Sequence, residues 1–564
     1  MINGLYNILT SNQDKLPLYH ANDICDFIPA SKAKDLIYLK PKNMNVSQQA
    51  IDELICNLKE DDKINLAGLG IMIDGKVICE HYEKPYSKMF RHVSFSLSKS
   101  VVAMAVGIAI SEGLLSLDDK LYKMFPGHDG IFIKKNMKEI TIRHLLTMST
   151  GVSFDEFASF FTYDWCTAYM GSDVKYLPGT SFSYNSLNTY MLVAYLRKCT
   201  GVSLIEYLDE RLFKPLNICD ITWDKCPRGI EKGGWGLKLS LGDMLKLGQL
   251  YLNKGVWIVD GHEKTIISKE WIEESIEPHF ELDSKRFITG YGYHIWLLRD
   301  GSYLFNGIFG QNIYVNPDRN IVIAITASAY ELFPEGRIIS LITRFVNNNE
   351  TFKGNSNKKK TIIPIKRIFN KYKEIFNKNH DIKEYLNPYL GMEYIFDEYA
   401  SSIIPVFCQV IYSNYLSGIK RLSFDFHNDY LLLKVCDGYN DFCIRIGYTQ
   451  KKPFIYQVLD INGKKMPIAV SGKILFDEDG KWLLKININY LEEVGCKIFK
   501  IYFYPNKIRV KGYETPDMYD FTNKLFGDKF IRRTKNIEKN STPEYVKYKI
   551  QKILSPDVWG IADE

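Results

Sequence analysis

The chain has 564 residues, 46% hydrophobic and 24% charged, with a formal net charge of +6. That length exceeds the roughly 250–300 residues at which one hydrophobic core stops growing, so at least two domains are expected. The balanced composition excludes a disordered chain, and so small a net charge gives no reason to expect a nucleic-acid or membrane partner.

The start of the chain, Met1-Ile2-Asn3-Gly4-Leu5-Tyr6, shows no basic stretch leading into an apolar run, so no secretory signal is expected. The most apolar segment, Val101–Ile110, is too short to span a bilayer, which needs roughly 20 residues. The 11 cysteines are scattered rather than paired, which points to reduced thiols, a cytoplasmic location and no structural zinc.

Residues 1–45 read as an N-terminal extension. From Ala67 two apolar runs flank Asp74-Gly75, a strong hairpin signal. Ser98–Glu112 reads as a helix whose small residues, Ala103, Ala105, Gly107 and Ala109, permit close packing. Asn188–Thr200 is a second helix, ended by Gly201. Leu241–Leu252 is a third, with Ser240 as N-cap and Asp243 in the capping-box position. Strands follow at Ile313–Val315 and Ile321–Ala327, around Asn316-Pro317-Asp318.

Near Asn347 the texture changes. Residues 348–380 read as a basic linker and connecting helix, with Lys358-Lys359-Lys360 and a basic amphipathic stretch at Ile362–Asn377. Residues 381–530 alternate as β-strands do, at Leu431–Val435, Trp482–Ile488 and Ile498–Phe503, with turns at Asn462-Gly463 and Asp479-Gly480. An all-β barrel or sandwich is expected there, followed by a tail at 531–564.

Ser94-Phe95-Ser96-Leu97-Ser98-Lys99-Ser100 contains Ser-x-x-Lys. On a helix, residues three apart share a face, so the Ser96 hydroxyl and the Lys99 amine can meet. A serine at a helix N-terminus can also turn its own N–H toward a developing oxyanion. The same spacing also begins at Ser31, Ser172, Ser356 and Ser417, but only the copy at Ser96 leads into an apolar, small-residue helix that would desolvate the amine. His144 reads as structural, and Asp164-Trp165 as either pocket lining or packing.

Phe95–Leu117, Thr141–Gly151, Pro178–Ser186, Gly236–Trp257 (with Asp243, Lys246 and Gly248), Tyr291-Gly292-Tyr293 and Gly307–Gln311 follow one another in a recognisable order. Over roughly residues 46–347 the chain thereby resembles the serine hydrolases of the β-lactamase and penicillin-binding-protein superfamily. Within it the esterase and 6-aminohexanoate-dimer-hydrolase-like branch is most similar. The C-terminal region is similar to the lipocalin-like domains that sometimes follow such a catalytic domain. The implied fold is a three-layer α/β domain, an antiparallel sheet covered by helices with a helical insert, plus the all-β domain.

The resemblance implies Ser96 as the acylated nucleophile, Lys99 as the group that deprotonates it, and Tyr184 as the proton relay to the leaving group. Ser186 stands where many relatives carry asparagine. The third motif falls on Phe305-Asn306-Gly307, with Ile308 N–H as the second oxyanion donor and Phe309-Gly310-Gln311 as a competing register. Phe305 takes the place of a lysine or histidine, which weakens recognition of a substrate carboxylate.

The resulting expectation is a serine hydrolase acting on a small ester or amide, without cofactor or metal. A D-amino-acid peptidase or carboxypeptidase, a penicillin-binding protein and a non-catalytic binding or sensor protein are the alternatives. A homo-oligomer through the β domain is compatible with the sequence.

Overall fold

In the computed structural model the described residues are 36–125, 135–154, 159, 162–282, 287–330, 336–353, 382–396, 402–412, 416, 418–427, 429–437, 440–461, 464–516 and 554–563. They divide between two compact units, residues 28–357 and a unit containing residues 358–564. The expected linker and helix at 348–380 lie outside the described residues beyond Lys353.

The first unit is organised by the hairpin at Asp74-Gly75, whose two residues adopt φ of 48° and 72°, as the turn requires. Its strands, Ile64–Ile73 and Lys76–Tyr82, enter a nine-stranded sheet. In spatial order the sheet runs Ile37–Tyr38, Lys76–Tyr82, Ile64–Ile73, Ile321–Ala329, Gln311–Asn316, Tyr303–Gly307, Trp296–Leu298, Ile288–Tyr291 and Phe280–Glu281. Every pairing is antiparallel except the first, Ile37 and Tyr38 against Lys76 and Val77. The extension at 1–45 thus contributes an edge strand.

Side chains alternate across this sheet. Phe305, Ile313 and Val315 join the core beneath the helices Ser98–Ser111, Ser186–Thr200 and Leu241–Leu252. Leu304 and Tyr314 face the opposite core, closed by Gln48–Glu60 and Arg337–Asn347. This is the expected three-layer domain. Gly248 permits the close approach of the helix Leu241–Leu252 to the sheet: a Cβ there would collide with Val322, and meet Ile313 at 2.8 Å. The insert between Ser111 and Ser186 holds short helices at Ile142–Leu146 and Trp165–Met170.

The second unit is a ten-stranded antiparallel sheet. Its strands follow chain order, and the first, Glu393–Ile395, pairs with the last, Asp557–Ala562. Within the expected tail at 531–564, Asp557–Ala562 is a strand of the sheet, paired with Lys507–Lys511. The ring almost closes between Asn440–Ile446 and Ile455–Ile461. There Gly447 bridges to Val470 and Gly472 at 3.1 and 2.7 Å, and the Gln457 amide bonds both backbone groups of Arg445. Asp479-Gly480 makes its expected turn with Gly480 at φ 75°; Asn462-Gly463 lies outside the described residues. The described cysteines of both units are free thiols.

Candidate functional site

Four serines alternate through Ser94–Ser100, and their partners separate them. Ser94 donates to Leu237 O at 2.8 Å, Ser98 to Phe95 O at 2.6 Å, and Ser100 to His294 O at 2.7 Å. These three are buried and spent on backbone carbonyls. Ser96 is only half-buried, and its hydroxyl accepts from Lys99 Nζ at 2.8 Å. The expected Ser–Lys pair is therefore formed. Of the other Ser-x-x-Lys copies, the one at Ser172 is spent on a backbone carbonyl, donating to Ala168 O at 2.7 Å with Lys175 exposed, and the serines at 31, 356 and 417 lie outside the described residues.

Backbone geometry presents Ser96. Phe95 adopts φ 46° immediately before it, a conformation that costs a non-glycine residue on the order of 1–3 kcal/mol. The Ser94, Ser98 and Leu237 bonds hold that turn, and the Phe95 ring packs edge-on against Phe309, itself at φ 62°, with centroids 5.5 Å apart.

Lys99 is 1% exposed. Besides Ser96 it donates to Gly234 O at 2.8 Å, and its Nζ lies 4.8 Å from the centroid of the Tyr184 ring. Tyr184 stacks on Trp296 at 5.7 Å and meets Tyr291 edge-on at 6.3 Å. Phe182 completes this aromatic wall, 5.0 Å from Tyr291. Ser186 opens the helix Ser186–Thr200 and is buried; Asn185 caps that helix by accepting from Leu187 N at 2.9 Å.

Tyr303–Gly307 runs beside the Phe95–Leu97 turn, and Gly307 is where they touch. A Cβ on Gly307 would overlap Ser94 O. Only glycine lets the Gly307–Ile308 peptide approach the Ser96 turn this closely. Asn306 donates to Asn312 Oδ1 at 2.6 Å. Phe305 is fully buried, 4.8 Å from Tyr251 and 6.2 Å from Tyr303. Strand alternation turns it into the helix-side core.

His144 caps its own helix, accepting Thr141 N–H at 3.2 Å, as its structural reading requires. Asp164 caps Trp165–Met170 and pairs with Arg228, while Trp165 packs on Tyr190 and Trp235. Packing is thus the role of that pair.

Sequence reasoning missed Gly234, Trp296 and His294. A carbonyl partner such as Gly234 O has no side-chain signature, although the run Gly233-Gly234-Trp235-Gly236 signals close backbone approach. His294, at φ 57°, is buried with Nε2 3.1 Å from Thr189 Oγ1. Burial, reinforced by the Lys99 charge, holds its imidazole well below its ordinary titration range. Burial likewise raises the Tyr291 phenol.

The sequence matches the family described as Beta-lactamase over residues 51–339, just over half of the chain. The chain belongs to this β-lactamase family. It is 23% identical to the 6-aminohexanoate-dimer hydrolase of Paenarthrobacter ureafaciens over 294 residues, covering 46% of this chain and 71% of that one. An uncharacterized protein of Alkalihalophilus pseudofirmus is 24% identical over 350 residues, 52% of this chain and 93% of its own. Among solved structures, the octameric penicillin-binding protein homologue from Pyrococcus abyssi aligns at TM-score 0.43 and 19% identity, over 80% of this chain and 97% of that one. Among the described residues, no helix of this β-lactamase-family chain is long and apolar enough to cross a membrane.

Proposed function

We propose that this chain is a serine hydrolase that forms an acyl-enzyme at Ser96 from a small, uncharged ester or amide. The supporting observation is Lys99 Nζ 2.8 Å from Ser96 Oγ, in a setting where the other serines are occupied. Lys99 takes the hydroxyl proton as Oγ attacks the carbonyl carbon, and the Ser96 and Ile308 amides face the resulting oxyanion. Collapse breaks the bond to the leaving group, which receives the proton through Lys99 and the Tyr184 phenol. Water then attacks the acyl-enzyme by the same route, releasing the acid and restoring Ser96 Oγ–H.

Asn306 and Ser186 would flank the bound acyl group. The aromatic wall of Tyr184, Trp296 and Tyr291 favours an apolar substrate. The burial of Phe305, at the position where the resemblance puts a substrate-binding lysine or histidine, disfavours a carboxylate-dependent reaction such as efficient β-lactam turnover.

A fluorophosphonate probe and p-nitrophenyl esters of short acids test the assignment. Wild-type protein should be labelled stoichiometrically and should turn the esters over; Ser96→Ala should do neither while unfolding at the same temperature. Ester turnover by folded Ser96→Ala at the wild-type rate would refute it.

A further inference from the structure

The net charge hides a local concentration of lysine on the ten-stranded sheet. Lys473 lies directly opposite Lys485, Lys485 opposite Lys500, and Lys500 opposite Lys511. Four adjacent strands thus carry lysine at one cross-strand position, with Asp557 opposite Lys511 at the far end. Neighbouring strands are about 4.8 Å apart, so the row is roughly 14 Å long. All four point away from the core, because Leu484, Ile486, Phe499, Ile501 and Val510 alternate with them into it.

Folding does not account for this row. Like charges directly opposite one another destabilise a sheet. Lys511 reaches Asp557 at 3.9 Å, but that carboxylate is already held by Arg509 at 2.7 and 2.6 Å. Among the described residues, Lys473, Lys485 and Lys500 form no ion pair. Burial, together with the Lys473 and Lys500 charges, pushes the Lys485 ammonium below its ordinary value.

Aromatic rings border the row. Tyr513, 37% exposed, lies on one side with Lys500 Nζ 5.3 Å from its centroid. Trp559, 43% exposed, lies on the other, with Lys507 Nζ at 4.6 Å. A line of cations edged by exposed rings matches a chain whose charges follow one another and whose flat groups project sideways. An anionic lipid surface would fit a broad patch better than a single line, and inorganic polyphosphate would leave the rings unused.

We propose that the lysine row Lys473–Lys485–Lys500–Lys511, with Tyr513 and Trp559 beside it, is a binding track for single-stranded nucleic acid. The phosphodiester backbone lies along the lysines and bases stack on the two rings. This assignment is independent of the reading of Ser96.

The test is fluorescence anisotropy of the full chain with labelled oligo(dT) of roughly 20 nucleotides, across a salt series. Four phosphate contacts give a slope of log K against log salt of about −3. The double variant Lys485→Glu/Lys500→Glu should bind at least about tenfold more weakly at low salt and show about half that slope. Its thermal stability should not fall, because the reversal turns the 473–485 and 500–511 oppositions into opposite-charge pairs while the 485–500 opposition stays like-charged as before. Tyr513→Ala should weaken binding about fivefold or more with the slope unchanged, as stacking requires. Lys63→Glu, the same charge reversal on an exposed residue of the other unit, should change nothing. Absence of oligo(dT) binding at low salt, or wild-type binding by the folded double variant, would overturn the proposal. So would equal affinity for inorganic polyphosphate of matched charge, or capture by phosphatidylglycerol vesicles without oligo(dT) binding.

Discussion

Gly307→Ala isolates the packing of the third motif against the nucleophile turn. Gly307 sits at φ −119° and ψ 149°, where alanine is equally comfortable, so no backbone penalty confuses the result. The added methyl collides with Ser94 O, a backbone atom two residues before Ser96 that cannot swing aside. Strand and turn must part by on the order of 1 Å before a carbon reaches ordinary contact distance. Overpacking of this kind costs about 1–3 kcal/mol of stability. A displacement of that size between the Ser96 and Ile308 amides resembles losing one oxyanion donor, about 10²–10³ in kcat. KM for a short ester should change little, since the ground-state carbonyl relies less on those donors. Steady-state ester kinetics together with urea unfolding of the same preparation measure both effects. Wild-type kcat in a stable Gly307→Ala protein would refute both the close approach and the placement of Ile308 as a donor.

Lys99→Arg should reduce ester turnover by at least about 10³, because guanidinium keeps its charge but does not give up a proton, whereas a purely electrostatic role would tolerate it. Phe305→Lys should not raise nitrocefin hydrolysis; it buries an ammonium against Tyr251 and Tyr303 and should lower the unfolding midpoint sharply instead. The buried His294 stays neutral in the folded chain while the unfolded chain protonates it below its ordinary pKa of 6.5. Its contribution to stability is therefore complete above pH 6.5 and is lost as the pH falls, by about 1.4 kcal/mol per pH unit well below that value. Urea midpoints at pH 7 and pH 5 should show His294→Gln with a shallower decline than wild type.

The elements most legible in the sequence were those with a local cause. Asp74-Gly75 forces its hairpin, and Ser240 with Asp243 forms the expected capping box at 3.2 and 3.0 Å. The Ser–Lys pair was legible for the same reason, since helical spacing alone brings Lys99 onto Ser96. What escaped were contacts made by distant backbone: Gly234 O on Lys99, and His294 set behind it by a left-handed turn. Asp557–Ala562 escaped too, because a closing strand is recognised by the edge it covers, and that edge is remote in sequence. Phe305 is the most instructive case. Its motif was identified, but whether a residue faces substrate or core depends on a one-residue register, and each step reverses the face. Leu304 and Phe305 are both buried, on opposite sides of the sheet, so hydrophobicity could not distinguish the two faces. Only the helix Leu241–Leu252 behind the sheet, which supplies Tyr251 as the ring against Phe305, decides it. A cation for a substrate carboxylate would therefore have to come from another element, and a substitution that supplies one belongs on the exposed rim beside Tyr184 rather than at Phe305.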